Sequence, residues 1–226
     1  MVTDQILKLS TQTSVVVQLI TGLIGLFGLS IKVSPQDEVI KRLLELELVV
    51  QGIELVFYSW ILYVFHISSM AITRYYDWFI STPLMLFTTM IFLEYKKWLE
   101  TNDGKYITLK GFLRKEWKIV VFVLLCNLGM LLCGFSGEKG WISKMNATIF
   151  GFLFFIASFA TVYYRYARHS TYGFTMFAIM TVLWSIYGLA YLLPTNAKNI
   201  SYNVLDIFAK NFFGIYLYFL LRNKRI

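Results

Sequence analysis

Asp206 and Lys210, in the run Leu205-Asp206-Ile207-Phe208-Ala209-Lys210 within the last apolar stretch, are the residues whose chemistry needs explaining first. A lysine at mid-bilayer costs at least ~2.5–3.5 kcal/mol unless it is paired or neutralised. Asp206 lies four residues earlier, one helical turn away on the same face, and supplies a counter-charge for a positive nitrogen. A desolvated lysine without a partner would instead be a neutral amine, nucleophilic enough to form a Schiff base with an aldehyde. A structural ion pair accounts for these two residues equally well, because buried Lys–Asp pairs also fix helix packing. A second polar set, Arg74, Asp77 and Ser81, recurs at spacings of three and four in another apolar run. It offers a carboxylate, an arginine to keep the cluster near neutral, and a hydroxyl, which is what a protonated nitrogen on Lys210 needs. The alternative is again a salt bridge with a packing role. Two spans that each set an aspartate beside a cation weaken that alternative.

The elements that must carry these residues are membrane helices. Of 226 residues, 58% are hydrophobic and 15% charged, and the mean hydropathy is +0.62, a polytopic membrane composition. About 20 apolar residues cross a bilayer. Seven stretches qualify, at about 11–31, 38–65, 71–93, 117–135, 141–165, 173–193 and 200–221. The expected fold is an all-α, seven-transmembrane-helix bundle forming one domain over residues 1–226, an integral, multi-pass protein of a plasma or host-cell membrane. Pro83 falls inside the third span and should kink it, whereas Pro35 and Pro194 sit in connections. The net charge of +8 lies in short clusters between spans, which indicates topology and contact with anionic lipid rather than nucleic acid. With the N-terminus outside, 15 lysines and arginines are cytoplasmic and four are external, which sets the C-terminus inside. The 94–116 connection interleaves aromatics with charges, as an amphipathic piece on the inner leaflet would. Asp4 and Lys8 argue against a cleavable signal peptide.

Other chemistry finds little support. Cys126 and Cys133 are too far apart on one helix to bridge. His66 and His169 sit near opposite faces without partners at metal-ligand spacing, and no phosphate loop or Ser-His-Asp set is present, so neither a metal site nor an enzyme is expected. Asn146-Ala147-Thr148 matches a glycosylation acceptor but falls at a helix start.

Two runs carry a resemblance: Arg74-Tyr75-Tyr76-Asp77-Trp78-Phe79-Ile80-Ser81-Thr82-Pro83 on the third span and Leu205-Asp206-Ile207-Phe208-Ala209-Lys210 on the seventh. Together they resemble the microbial (type 1) rhodopsins over the whole chain. The resemblance implies all-trans retinal held covalently on Lys210 as a protonated Schiff base, with Asp77 and Asp206 as its counter-ion pair. It also implies a pocket formed by Trp78, Thr82, Met85, Met130, Phe155, Ser158, Trp184, Tyr187 and Tyr191. Aromatic walls suit a flat polyene.

Departures from the family pattern bear on transport. The position eleven residues after Asp77, where outward proton pumps carry an internal carboxylic donor, is Thr88; eight residues before Asp206, in place of a release glutamate, stands Lys198. Gly188 replaces the sixth-helix proline, and Thr82 and Asn127 replace a Cys/Asp gating pair. The second span is acidic: Glu47 and Glu54 are seven apart, on one face and about 10 Å apart along the axis. Facing Ser14, Asn203 and Asn211, such a row would line a wet path for small cations or protons, as acidic rings do in cation channels. The set Ser14, Glu47, Glu54, Lys198, Asn203, Asp206 and Asn211 resembles that of the group-1 viral rhodopsins of large algal viruses, light-gated cation channels. The expected function is a light-gated cation channel gated near Arg74 outside and Glu47/Glu54 inside. A weak outward proton pump and a photosensor without transport are the alternatives. Members of the family also form homo-oligomers.

Overall fold

A computed structural model describes residues 2–101 and 106–226. The described chain contains seven long helices: α1 (Val2–Gly28), α2 (Glu38–Val64), α3 (Ile67–Thr101), α4 (Leu109–Glu138), α5 (Lys144–Arg165), α6 (Thr171–Ala190) and α7 (Thr195–Arg222). All are apolar and long enough to span a bilayer. Local sequence sets several starts: Thr108, Ser143 and Ser170 accept from the backbone amides of Gly111, Asn146 and Gly173, satisfying donors that a helix start leaves unpaired. Phe65 ends α2 in the left-handed conformation, at φ 38°, while its amide donates to Ile61.

The helices overrun the expected spans, because an α-helix continues past the apolar slab wherever side chains permit. α1 begins at Val2 rather than near residue 11, and α3 runs on to Thr101. Of the 94–116 connection, the residues up to Thr101 continue α3 and those from Leu109 belong to α4, so the described part forms no helix of its own; residues 102–105, including Lys105, lie outside the described residues. Pro83 sits inside a continuous α3. Asn146 lies in the first turn of α5, and both cysteines are free.

α3 is the most buried helix and packs against α2, α4, α6 and α7, so its polar face points into the bundle. Large apolar side chains such as Leu23, Val56, Leu125 and Ile156 stay exposed around the perimeter, as a protein solvated by lipid requires. In α7 the regular ladder opens into a π-helical turn at Ile207–Asn211. Such turns are rare and concentrate at functional sites, and this one holds Lys210.

Candidate functional site

Lys210 and its acids are buried together. Lys210 Nζ donates to Asp77 Oδ2 at 2.7 Å, and lies 3.6 Å from Asp206 Oδ1 and 3.8 Å from Glu54 Oε1. The expected aspartates are both in contact, and α2 contributes a third carboxylate that the sequence had suggested for an ion path.

Asp206 is the best satisfied of the three. Its Oδ2 accepts from the Tyr58 hydroxyl at 2.5 Å and from Arg74 Nη1 at 3.4 Å, and its Oδ1 accepts from the Tyr187 hydroxyl at 2.6 Å. Arg74 also donates to the Tyr58 oxygen at 2.7 Å, to Asn199 Oδ1 at 3.3 Å and to Asn203 Oδ1. Asp77 keeps one oxygen without a partner, and neither oxygen of Glu54 has a hydrogen-bond donor among the described residues. Two buried cations thus face three buried carboxylates. Uncompensated charge is expensive in such surroundings, so the third acid needs a proton or a cation, and Glu54 is the one without donors.

The polar residues of α1, α2 and α7 divide into two groups. At the Arg74 end, Ser14 Oγ donates to the Asn203 carbonyl at 3.1 Å, and Asn203 Nδ2 donates to Ser10 and Thr11. Ser14 and Asn203 therefore join the Arg74 network rather than facing Glu47, which corrects the single row expected from sequence. At the other end Thr88 Oγ1 donates to Glu47 Oε1 at 2.5 Å, and Thr21 Oγ1 donates to Asn211 Oδ1 at 2.6 Å. The Gln51 amide, on the Glu47/Glu54 face of α2, and the Gln18 amide of α1 are buried, and three of their four polar atoms have no partner among the described residues. Buried polar atoms of this kind are ordinarily satisfied by water or ions. Lys198, buried near the far end of α7, pairs with Glu138 of α4 and stands over the Tyr191 ring. Glu45 pairs with Arg42 at the surface.

An apolar cavity opens from Lys210 between α3, α4, α5 and α6. Trp78, Thr82, Met85, Met130, Phe155, Trp184, Tyr187 and Tyr191 line it, as expected, joined by Tyr75, Phe152, Tyr202 and Gly151. Ser158 is not among the lining residues; it is buried one turn beyond Phe155 on the same face of α5, and its hydroxyl has no partner among the described residues. Trp78 meets Tyr202 and Tyr187 edge-on, with centroids 5.0 and 5.8 Å away, closing the Lys210 end of the slot. A Cβ at Gly188 would lie 2.7 Å from the Phe152 ring, so Phe152 fills the space left by the missing proline. Thr82 and Asn127 do bridge α3 and α4, with Asn127 Nδ2 donating to Thr82 Oγ1 at 2.8 Å.

Sequence reasoning missed Tyr58, Asn199, Gln18 and Gln51. Helical spacing held the signal for three of them: Tyr58 is four residues after Glu54, Gln51 lies between Glu47 and Glu54 on their face, and Gln18 is four after Ser14.

A buried amine among acids, opening on an apolar, aromatic-lined cavity inside seven spans, defines a membrane protein with room for an apolar ligand beside Lys210. The chain belongs to the bacteriorhodopsin-like family, whose model matches residues 9–224. Among solved structures it is similar to the viral rhodopsin OLPVRII, with 26% identity and a TM-score of 0.81 over 96% of this chain and 98% of that one. It shares the fold of Exiguobacterium sibiricum rhodopsin, at 14% identity and TM-score 0.76 over 99% and 98% of the two chains. Halorhodopsin, a light-driven chloride pump, shares it at 16% identity and TM-score 0.67 over 96% of each chain. No curated protein sequence matches. The protein is therefore an integral, multi-pass membrane protein of the rhodopsin fold, and the family implies a retinal chromophore bound to a lysine. The site fits that group: the Lys210 amine opens on the aromatic slot, and a partnerless Asp77 oxygen lies beside it.

Proposed function

We propose that the chain is one seven-helix domain, N-terminus outside, that holds all-trans retinal covalently on Lys210 through a Schiff-base linkage and acts as a light-gated cation channel. When bound, the polyene absorbs light and changes shape at its Lys210 end. Asp77, 2.7 Å from the nitrogen, is the nearest proton acceptor. Asp206 is held in place by Tyr58, Tyr187 and Arg74, and serves as fixed counter-charge. The π turn places Lys210 where α7 is most easily re-registered, so strain there reaches Asn211 and Gly214 next. Arg74 with Asn203 and Asn199 forms the outer constriction; Glu47 with Thr88 forms the inner one.

The observation that carries this reading is the set of buried polar atoms of Glu47, Gln51 and Glu54 on one face of α2, joined by the buried Gln18 amide of α1, that have no partner among the described residues. It is too polar to stay dry and too acidic to attract anions, which suits a path for small cations. Glu54→Gln tests it: photocurrent should fall severalfold while its reversal potential still follows the cation gradient. An unaltered current would remove Glu54 from the path.

One contact favours a second reading. Glu47 touches Thr88, so α2 brings a carboxyl to the position whose own side chain is not acidic, where it could return a proton to the site in an outward pump. Under that reading Glu47→Gln slows the return step and light drives protons against a gradient.

A further inference from the structure

The end of the bundle richest in lysine and arginine carries a hollow outside the site described above. It is lined by Phe27, Ser30 and Lys32 where α1 ends, and by Tyr218, Arg222 and Arg225 where α7 ends, and holds about 590 Å³. Lys32, Arg222 and Arg225 are exposed, and none forms an ion pair among the described residues.

The backbone fixes this arrangement. Arg225 forms an antiparallel bridge with Val33, and the Ile226 amide donates to the Lys32 carbonyl at 3.2 Å. Buried Asp37, which accepts from Ser34 at 2.9 Å and Tyr95 at 2.6 Å, takes Lys224 at 3.6 Å. The turn at Asn223 and Lys224 that ends α7 sends Lys224 to Asp37 and leaves Arg225 lining the same hollow as Arg222 and Lys32. One cation is thus consumed by the fold, and three are left around one hollow.

Its position selects the ligand. The hollow lies where the membrane-spanning helices α1 and α7 end, and the exposed Phe27 ring on its rim sits one helical turn before Ser30, on the apolar side. A ligand with a phosphate for the three cations and an acyl chain for Phe27 satisfies both. We propose that this hollow is a binding site for the headgroup of an anionic phospholipid.

Native mass spectrometry of the purified full chain tests this by titration with phosphatidylglycerol and, separately, phosphatidylcholine. Each basic residue at a membrane surface is worth about fivefold, so Arg222→Gln with Arg225→Gln should weaken phosphatidylglycerol binding about 30-fold. Phosphatidylcholine binding and the visible absorption band should be unchanged. Arg114→Gln with Lys118→Gln, at the same end but outside the hollow, should cost less than about threefold. Lys32→Gln alone should reproduce part of the loss if the double variant expresses poorly. Equal losses in the two double variants would reduce the effect to diffuse charge and overturn the proposal. Unaltered binding in Arg222→Gln/Arg225→Gln would overturn it too, as would displacement of the lipid by millimolar inorganic phosphate, which would make this a site for the free ion.

Discussion

Replacing one aspartate at a time separates the roles of Asp77 and Asp206. Both lie near Lys210 Nζ, at 2.7 Å and 3.6 Å. At an effective dielectric constant of about 20, a full negative charge is worth about 6 kcal/mol to the protonated nitrogen at the shorter distance and about 4.6 kcal/mol at the longer. The difference, about 1.5 kcal/mol, corresponds to about one pH unit. It is a lower bound, because Arg74 at 3.4 Å and two tyrosines already draw on the Asp206 charge. Removing a negative neighbour destabilises the protonated nitrogen, so the proton leaves at lower pH. Alkaline titration of the visible band, as it gives way to near-ultraviolet absorption, reads this directly. Asp77→Asn should lose the band at least about one pH unit below Asp206→Asn, and its neutral-pH maximum should lie to the red of the parent. A midpoint for Asp206→Asn equal to or below that of Asp77→Asn would refute the reading that Asp77 acts on the nitrogen more strongly than Asp206 does.

Other substitutions probe the frame around the site. Lys210→Ala should purify as a colourless protein when retinal is supplied, read by its absorption spectrum. Lys198→Met strands the Glu138 carboxylate, which is 10% exposed, and should cost about 3–5 kcal/mol, with most of it regained in Lys198→Met/Glu138→Leu; thermal bleaching measures both. Gly134→Ala would drive a methyl into the Tyr75 hydroxyl, at a cost of about 1–3 kcal/mol, whereas Gly52→Ala, with nothing within 4 Å, should stabilise α2 by about 0.5–1 kcal/mol.

The seven spans could be read from the sequence because hydropathy reports what lipid demands, but helix ends could not. Lipid does not decide how far a helix continues beyond the apolar slab, and both α1, helical from Val2, and α3, helical to Thr101, extend past the spans that hydropathy marks. Lys210 and its two aspartates were legible because charge in an apolar run has few explanations. Glu54 was legible as a buried acid but not as a third neighbour of Lys210, since its 3.8 Å contact depends on how α2 is rotated against α7. The π turn left no mark either, because Ile207 to Asn211 has ordinary helical composition. Spacing put Tyr58 on the Glu54 face of α2, but only the fold brings its hydroxyl between Arg74 and Asp206. Ser158 lies one turn beyond Phe155 on the same buried face of α5, and sequence spacing alone could not tell which of the two lines the cavity.

Conduction past the buried acids is tested most directly by the light-induced current at clamped voltages, with sodium, potassium and proton gradients varied in turn. The proposed function predicts a current that changes sign at a voltage moving with a cation gradient. A current that keeps one direction at every voltage, or no current from a coloured and photoactive protein, would contradict it.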